Sequence, residues 1–118
     1  AYFTIESNCA NSHFNDIKII HAQSNLFMQI MVDTSTLDNF TRYSSIFPDV
    51  MKIDVEGAEV KVLQGAHNLL EDGRTRMIIS THNESLKSEC TRLLRSYQYE
   101  VLELPGFSHE IICFPRIS

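Results

Sequence analysis

The chain has 118 residues, 43% of them apolar, and carries a formal charge of −5. This length and apolar fraction suit one globular domain; net acidity with scattered basic residues excludes a nucleic-acid footprint, and no apolar run approaches the roughly 20 residues that span a bilayer. Its three cysteines, Cys9, Cys90 and Cys113, are odd in number and far apart, which predicts a reduced, cytoplasmic protein rather than one stapled by disulfides.

Tyr2 to Ile5 reads as a short strand, and an opening straight into it predicts that residues precede Ala1. Ser7 to Asn15 is rich in Asn and Ser and reads as a loop, with Ser12-His13 solvated within it. Ile17 to Ala22 and Phe27 to Val32 are β-rich and are predicted to pair across Gln23-Ser24-Asn25. Thr34-Ser35-Thr36 then offers N-cap hydroxyls. Leu37, Phe40 and Tyr43 follow at helical spacing, so a short helix is expected from about Leu37 to Tyr43, ending before Pro48. Asp38 falls in its first turn and reads as a surface residue that opposes the helix dipole.

Val50 to Val55 leaves only Lys52 and Asp54 polar. Such a run predicts a strand buried on both faces, as in parallel sheets. Gly57 permits a sharp turn. Val60 to Leu70 reads as one amphipathic helix with the stripe Val62, Leu63, Ala66, Leu69 and Leu70. Glu56 and Glu59 sit at its start, where the dipole favours them, and Gly73 closes it. Gly65 inside a helix costs roughly 1 kcal/mol against Ala, which points either to a close neighbour there or, equally, to a tolerated surface glycine. Arg76 to Thr81 is a second buried strand, ending in His82-Asn83-Glu84. Asn83 or Ser85 caps a helix with Leu86, Cys90, Leu93, Leu94 and Tyr97 on one face, so Cys90 is a core side chain. Tyr99 to Leu104 and His109 to Phe114 are strands whose short link through Pro105-Gly106 favours antiparallel pairing. From residue 50 the order is strand, helix, strand, helix, strand, turn, strand: an α/β arrangement forming half of a doubly wound sheet.

In open α/β sheets ligands bind beyond the carboxyl ends of the strands. Asp54 and His82 stand at two such ends, and neighbouring strands are about 4.8 Å apart. Both side chains would therefore reach one ligand, with Glu56 at the mouth of the crevice. A carboxylate and an imidazole together suit removal of a proton from a hydroxyl. The plainer reading is that Asp54 and Glu56 cap a helix and His82 caps a strand end. Asp54, Glu56, His82 and Glu84 would also make an oxygen-rich metal site with one imidazole; no spacing demands it, and no metal is assigned. A non-catalytic binding module or a phosphoreceiver is the competing class, since Asp54 ends a buried strand just before Gly57. A receiver, however, needs an earlier acidic pair, which Asp33 and Asp38 do not supply, and a Lys where His82 stands.

The βαβαββ order resembles the C-terminal half of the Rossmann-like class I methyltransferases, with parallel strands and an antiparallel last strand. Lys52-Ile53-Asp54-Val55-Glu56-Gly57-Ala58-Glu59, followed by Val62-Leu63-Gln64-Gly65-Ala66, resembles the signature of FkbM-type methyltransferases. Thr36-Leu37-Asp38, Leu93-Leu94 and Tyr99 also fit, so the likeness spans roughly residues 34–104. It implies S-adenosylmethionine (SAM) as cofactor and a small-molecule acceptor, a hydroxyl of a sugar or secondary metabolite. It implies Asp54 and His82 as the catalytic pair, and Glu56, Gly57, Asn83 and Glu84 as substrate- or cofactor-binding residues. Two positions depart from the family: His82 stands where many members have Glu, and Gln98 where Gly often precedes the Tyr. The family's Gly-rich cofactor loop has no counterpart among Gly57, Gly65, Gly73 and Gly106. Residues 1–32 then read as a variable lead-in and 33–118 as the βαβαββ core of a single partial domain. On this view the chain is a C-terminal fragment that is inactive by itself.

Overall fold

The computed structural model describes residues 33–117 and, before them, three strands: Tyr2–Glu6 (β1), His13–Asn15 (β2) and Phe27–Met31 (β3). The chain divides into two compact units, Ala1–Thr34 and Ser35–Ser118. In the first, β1 pairs antiparallel with β2 on one side and β3 on the other. The strands predicted at Tyr2 and Phe27 therefore form. The predicted loop from Ser7 ends in a strand instead, because His13–Asn15 takes up the free edge of β1 opposite Thr4, Phe3 and Tyr2. Composition did not signal that pairing. The strand predicted at Ile17 to Ala22 lies outside the described residues.

The second unit runs α1 (Leu37–Ser44), β4 (Val50–Ile53), α2 (Glu59–Gln64), α3 (His67–Asp72), β5 (Arg76–Ser80), α4 (Glu84–Ser96), β6 (Tyr99–Leu104) and β7 (Phe107–Pro115). Its four strands lie in the order β4-β5-β7-β6. β4 and β5 are parallel, and β7 is antiparallel to both β5 and β6. The predicted hairpin forms, with Gly106 at φ +82° in its turn. It places β7 between β5 and β6, so the sheet is mixed.

The register explains where the core sits. Ile53, Ile79 and Ile111 align across three strands, and Met77, Cys113 and Val101 align in the next row. All six are buried, and they pack in one cluster with Leu63, Leu69 and Leu70 of the β4–β5 crossover and Cys90 and Leu94 of α4. Cys90 is thus a core side chain as expected; burial pushes its thiol up to about 11, and that of Cys113 to about 12. The alternate row has a different environment. Val50 is 62% exposed, Ile78 37% and Leu102 48%. The expectation that β4 is buried on both faces is therefore overturned: period-2 alternation puts Met51 and Ile53 inward and leaves Val50 and Lys52 outward. No described helix is long and apolar enough to cross a membrane.

The expected single helix from Val60 to Leu70 is two helices, broken at Gly65-Ala66. The break has a tertiary cause. The Gly65 carbonyl accepts a bond of 2.9 Å from the backbone N–H of Asp38. A Cβ at Gly65 would stand 3.1 Å from Thr36 Cβ and 3.2 Å from Cγ2, so of the two readings of this glycine the close neighbour holds. Thr36 Oγ1 in turn accepts from the N–H of Asn39 and caps α1.

Asp38 does more than oppose the dipole of α1. Its Oδ1 accepts from the backbone N–H groups of Asn68 at 2.9 Å and Leu69 at 3.3 Å. It therefore caps α3, whose own N-cap residue, Ala66, makes no side-chain bond. Asp38→Ala is expected to cost about 1–2 kcal/mol, a fall of roughly 5–10 °C in melting temperature for a unit of this size. Asp38→Asn, which keeps the acceptor oxygen, should lose less. Equal melting temperatures for Asp38→Ala and the unaltered chain would show that the clamp is idle.

Gln98 is left-handed at φ +65°, a conformation that glycine adopts without strain. This accounts for the preference for glycine expected at that position. The next residue, Tyr99, is fully buried, and its hydroxyl donates to the Thr75 carbonyl at 3.0 Å.

Candidate functional site

Because β4 and β5 are parallel neighbours, their carboxyl ends open on the same side. β4 hands over to α2 through a tight turn in which the Ala58 N–H donates to the Val55 carbonyl. Glu56 and Gly57 both take positive φ, +51° and +98°. For Glu56 that conformation costs about 1–3 kcal/mol, a kind of strain that clusters at functional sites. β5 ends at Ser80, and His82 follows two residues later.

The imidazole of His82 joins the two strand ends. Its Nε2 lies 3.5 Å from Asp54 Oδ1 and 3.3 Å from Glu56 Oε2. Its Nδ1 lies 2.6 Å from Glu59 Oε1, at the start of α2. The three outer groups are accessible, with side-chain exposures of 52% for Asp54, 43% for Glu56 and 30% for His82. Glu59 is fully buried. Its Oε1 also accepts from the Gly57 N–H at 3.1 Å, which braces the turn, while its Oε2 is buried without a hydrogen-bond partner. Burial pulls the imidazole of His82 down. The bond to Glu59 and the charges of Glu59, Glu56 and Asp54 outweigh that effect and hold the ring above its ordinary 6.5.

The plainer reading of these acids as helix caps does not describe the site. Ala58 occupies the N-cap of α2 and makes no side-chain bond, while Asp54 and Glu56 face the imidazole. The other predicted site residues are placed differently. The Gly57 N–H is engaged by Glu59, and nothing lies within 4 Å of where its Cβ would stand. Asn83 caps α4, its Oδ1 accepting from the Leu86 N–H at 2.8 Å. Glu84 belongs to a separate ionic group, 3.9 Å from Lys87 and 3.8 Å from His109. The set of three acids and one imidazole considered as a metal site thus contracts to Asp54, Glu56 and His82.

Glu59 is the residue that sequence reasoning missed as part of the site. The signal was present: Glu59 lies four residues before Leu63 and seven before Ala66, on the stripe that is buried. A carboxylate on an apolar stripe needs a partner, and His82 supplies one. On the outward face of the sheet a second polar group spans three strands. Ser80 Oγ donates to Glu110 Oε1 at 2.6 Å, and Lys52 bonds Ser80 and, at 3.2 Å, Glu110 Oε2. The bond from Ser80, opposed by burial and aided by Lys52, holds the Glu110 carboxyl below its ordinary range.

A family model for the methyltransferase FkbM domain matches residues 3–101. The chain belongs to this family. The match extends the expected likeness, roughly 34–104, back through β1, β2 and β3. No curated protein and no solved structure matches the chain. Asp54, Glu56, Glu59 and His82 all lie within the FkbM match, so the cluster at the two strand ends is part of a methyltransferase domain.

Proposed function

We propose that the chain carries the acceptor side of a SAM-dependent O-methyltransferase with a Rossmann-like sheet. The observation that carries this reading is one imidazole facing two carboxylates at the carboxyl ends of adjacent parallel strands, within the family match. SAM supplies an electrophilic methyl group on a sulfonium. The accessible groups are Asp54, Glu56 and His82; the two carboxylates repel the donor's carboxylate and suit its positive charges, and together with the imidazole they fit a neutral hydroxyl.

On this reading Asp54 and His82 would grip the acceptor hydroxyl and take its proton, while bound SAM would supply the methyl group, the S–CH3 bond breaking to leave the thioether. Glu59 engages Nδ1 and so leaves Nε2 for the acceptor; it is a positioning residue. Glu56 holds a neighbouring polar group of the acceptor. Much of the rate comes from alignment of the reacting atoms. A sugar or secondary metabolite as acceptor follows from the likeness to the family, and a cytoplasmic setting suits the unpaired thiols of Cys90 and Cys113. The residues described make one side of the reaction centre, so turnover is a property of a protein in which the donor's methionine end is also held.

The test is a methyl-transfer assay on a full-length protein that includes this chain, with labelled SAM and a panel of sugars and hydroxylated metabolites. The expected product is a methyl ether on oxygen. A label found on nitrogen or carbon, or SAM left intact with every hydroxyl acceptor, would overturn the reading.

A further inference from the structure

We infer that Asp54, Glu56 and His82 bind a divalent cation, for which Mn2+ is a suitable probe. The three ligand atoms, Asp54 Oδ1, Glu56 Oε2 and His82 Nε2, all lie within 4.8 Å of one another. Ligands about 2.1 Å from one ion stand roughly 3 Å apart when adjacent and 4.2 Å apart when opposite. The distances of 3.5 and 3.3 Å from Nε2 to the two carboxylates need to close by only a few tenths of an ångström.

Glu59 supplies the independent observation. Its side chain is fully buried and one of its oxygens has no hydrogen-bond partner. Burying a carboxylate is costly unless a positive charge stands nearby; His82 serves one oxygen of Glu59 and leaves the other unsatisfied. The oxygen that is served lies 2.6 Å from His82 Nδ1. Carboxylates that take the second ring N–H of a metal-bound histidine fix its tautomer and strengthen the ligand. A ring held in that way turns the lone pair of Nε2 toward two carboxylate oxygens, an arrangement that a cation satisfies at all three points.

The donor chemistry narrows the ion. Carboxylates suit Mg2+, Ca2+ and Mn2+, whereas imidazole suits Zn2+, Cu2+, Fe2+ and Ni2+, and Zn2+ takes carboxylate and imidazole together; two carboxylates to one imidazole keep Mn2+ within the range, and it is the ion with a direct readout. Three protein ligands leave further positions on the ion open, and all three side chains are partly exposed on the solvent side. With the ion bound, Nε2 of His82 is a ligand and not a base, so the acceptor's proton would pass to Asp54 alone. The inference concerns ion binding alone and does not require that any ligand be methylated.

The experiment titrates the chain with MnCl2 and reads free Mn2+ by electron paramagnetic resonance, without SAM or acceptor. One Mn2+ per chain is expected. Asp54→Asn and Glu56→Gln change exposed side chains and should each weaken binding at least about tenfold, with melting curves confirming that the fold is kept. Glu59→Gln should weaken it about 10–100-fold, although Glu59 never touches the ion. No retention of Mn2+ by the unaltered chain, or equal retention by the Asp54→Asn, Glu56→Gln double variant, overturns the inference. A failed methyl-transfer assay beside intact Mn2+ binding would count against the proposed reaction and leave the ion site standing.

Discussion

Methyl transfer is expected to fall by about 10²–10⁴-fold in the protein carrying Asp54→Asn together with Glu56→Gln, the range typical of losing a positioned proton acceptor. Both changes keep the shape of the side chain and remove its charge. Asp54 and Glu56 are roughly half exposed, and neither caps α2, so the fold should survive. The two kinetic constants separate their roles. A loss in kcat marks a group that acts in the transition state, whereas a rise in KM alone marks one that only holds the acceptor. Asp54→Asn is expected to act on kcat and Glu56→Gln on KM. Activity within a few-fold of the unaltered protein would remove both residues from the chemistry.

Glu59→Gln is expected to lower activity by about 10–100-fold, in line with the loss of a partner that orients a functional histidine. The glutamine can still accept a bond at His82 Nδ1, but it brings no charge. In metal-free protein, with chelator present, the titration of His82 should therefore move down, because Glu59 is the first of the acids that raise it against burial. A residue with a merely structural role would leave that titration in place. The sign for stability follows. The folded-state value for His82 lies above its ordinary 6.5, so this interaction stabilises the fold fully below pH 6.5 and is lost as pH rises through the raised value. The stability gap between the unaltered chain and Glu59→Gln should be widest in mild acid and shrink toward alkaline pH. A gap that does not change with pH would show that the Glu59–His82 contact is not ionic.

Much of the second unit was legible because its elements are set by local periodicity. The stripe of α4, its cap at Asn83, the buried Cys90 and the antiparallel turn at Pro105-Gly106 each need only a few neighbouring residues to be recognised. The same holds for two polar residues at strand ends, Asp54 and His82: once two strands are separated by a crossover long enough to make them parallel, their carboxyl ends must open on one side. In the first unit β2 was missed because a three-residue strand is stabilised by its partner, β1, and not by its own composition.

The sequence by itself determined which residues arrive at the mouth of the sheet, and which face of each helix is apolar. Only the tertiary structure decided what those residues meet. Asp38 read as a surface charge and became the cap of a helix thirty residues away; a helix read as continuous was opened at Gly65 by the backbone of α1. β4 looked buried on both sides, yet the described helices leave Val50 and Lys52 outward. Glu59, an ordinary first-turn acid on paper, was turned inward onto His82. The physical reason is common to all four. Hydrophobic period and capping are short-range and survive in a linear string, whereas the partner of a buried charge or a displaced carbonyl is chosen by packing between segments far apart in the chain.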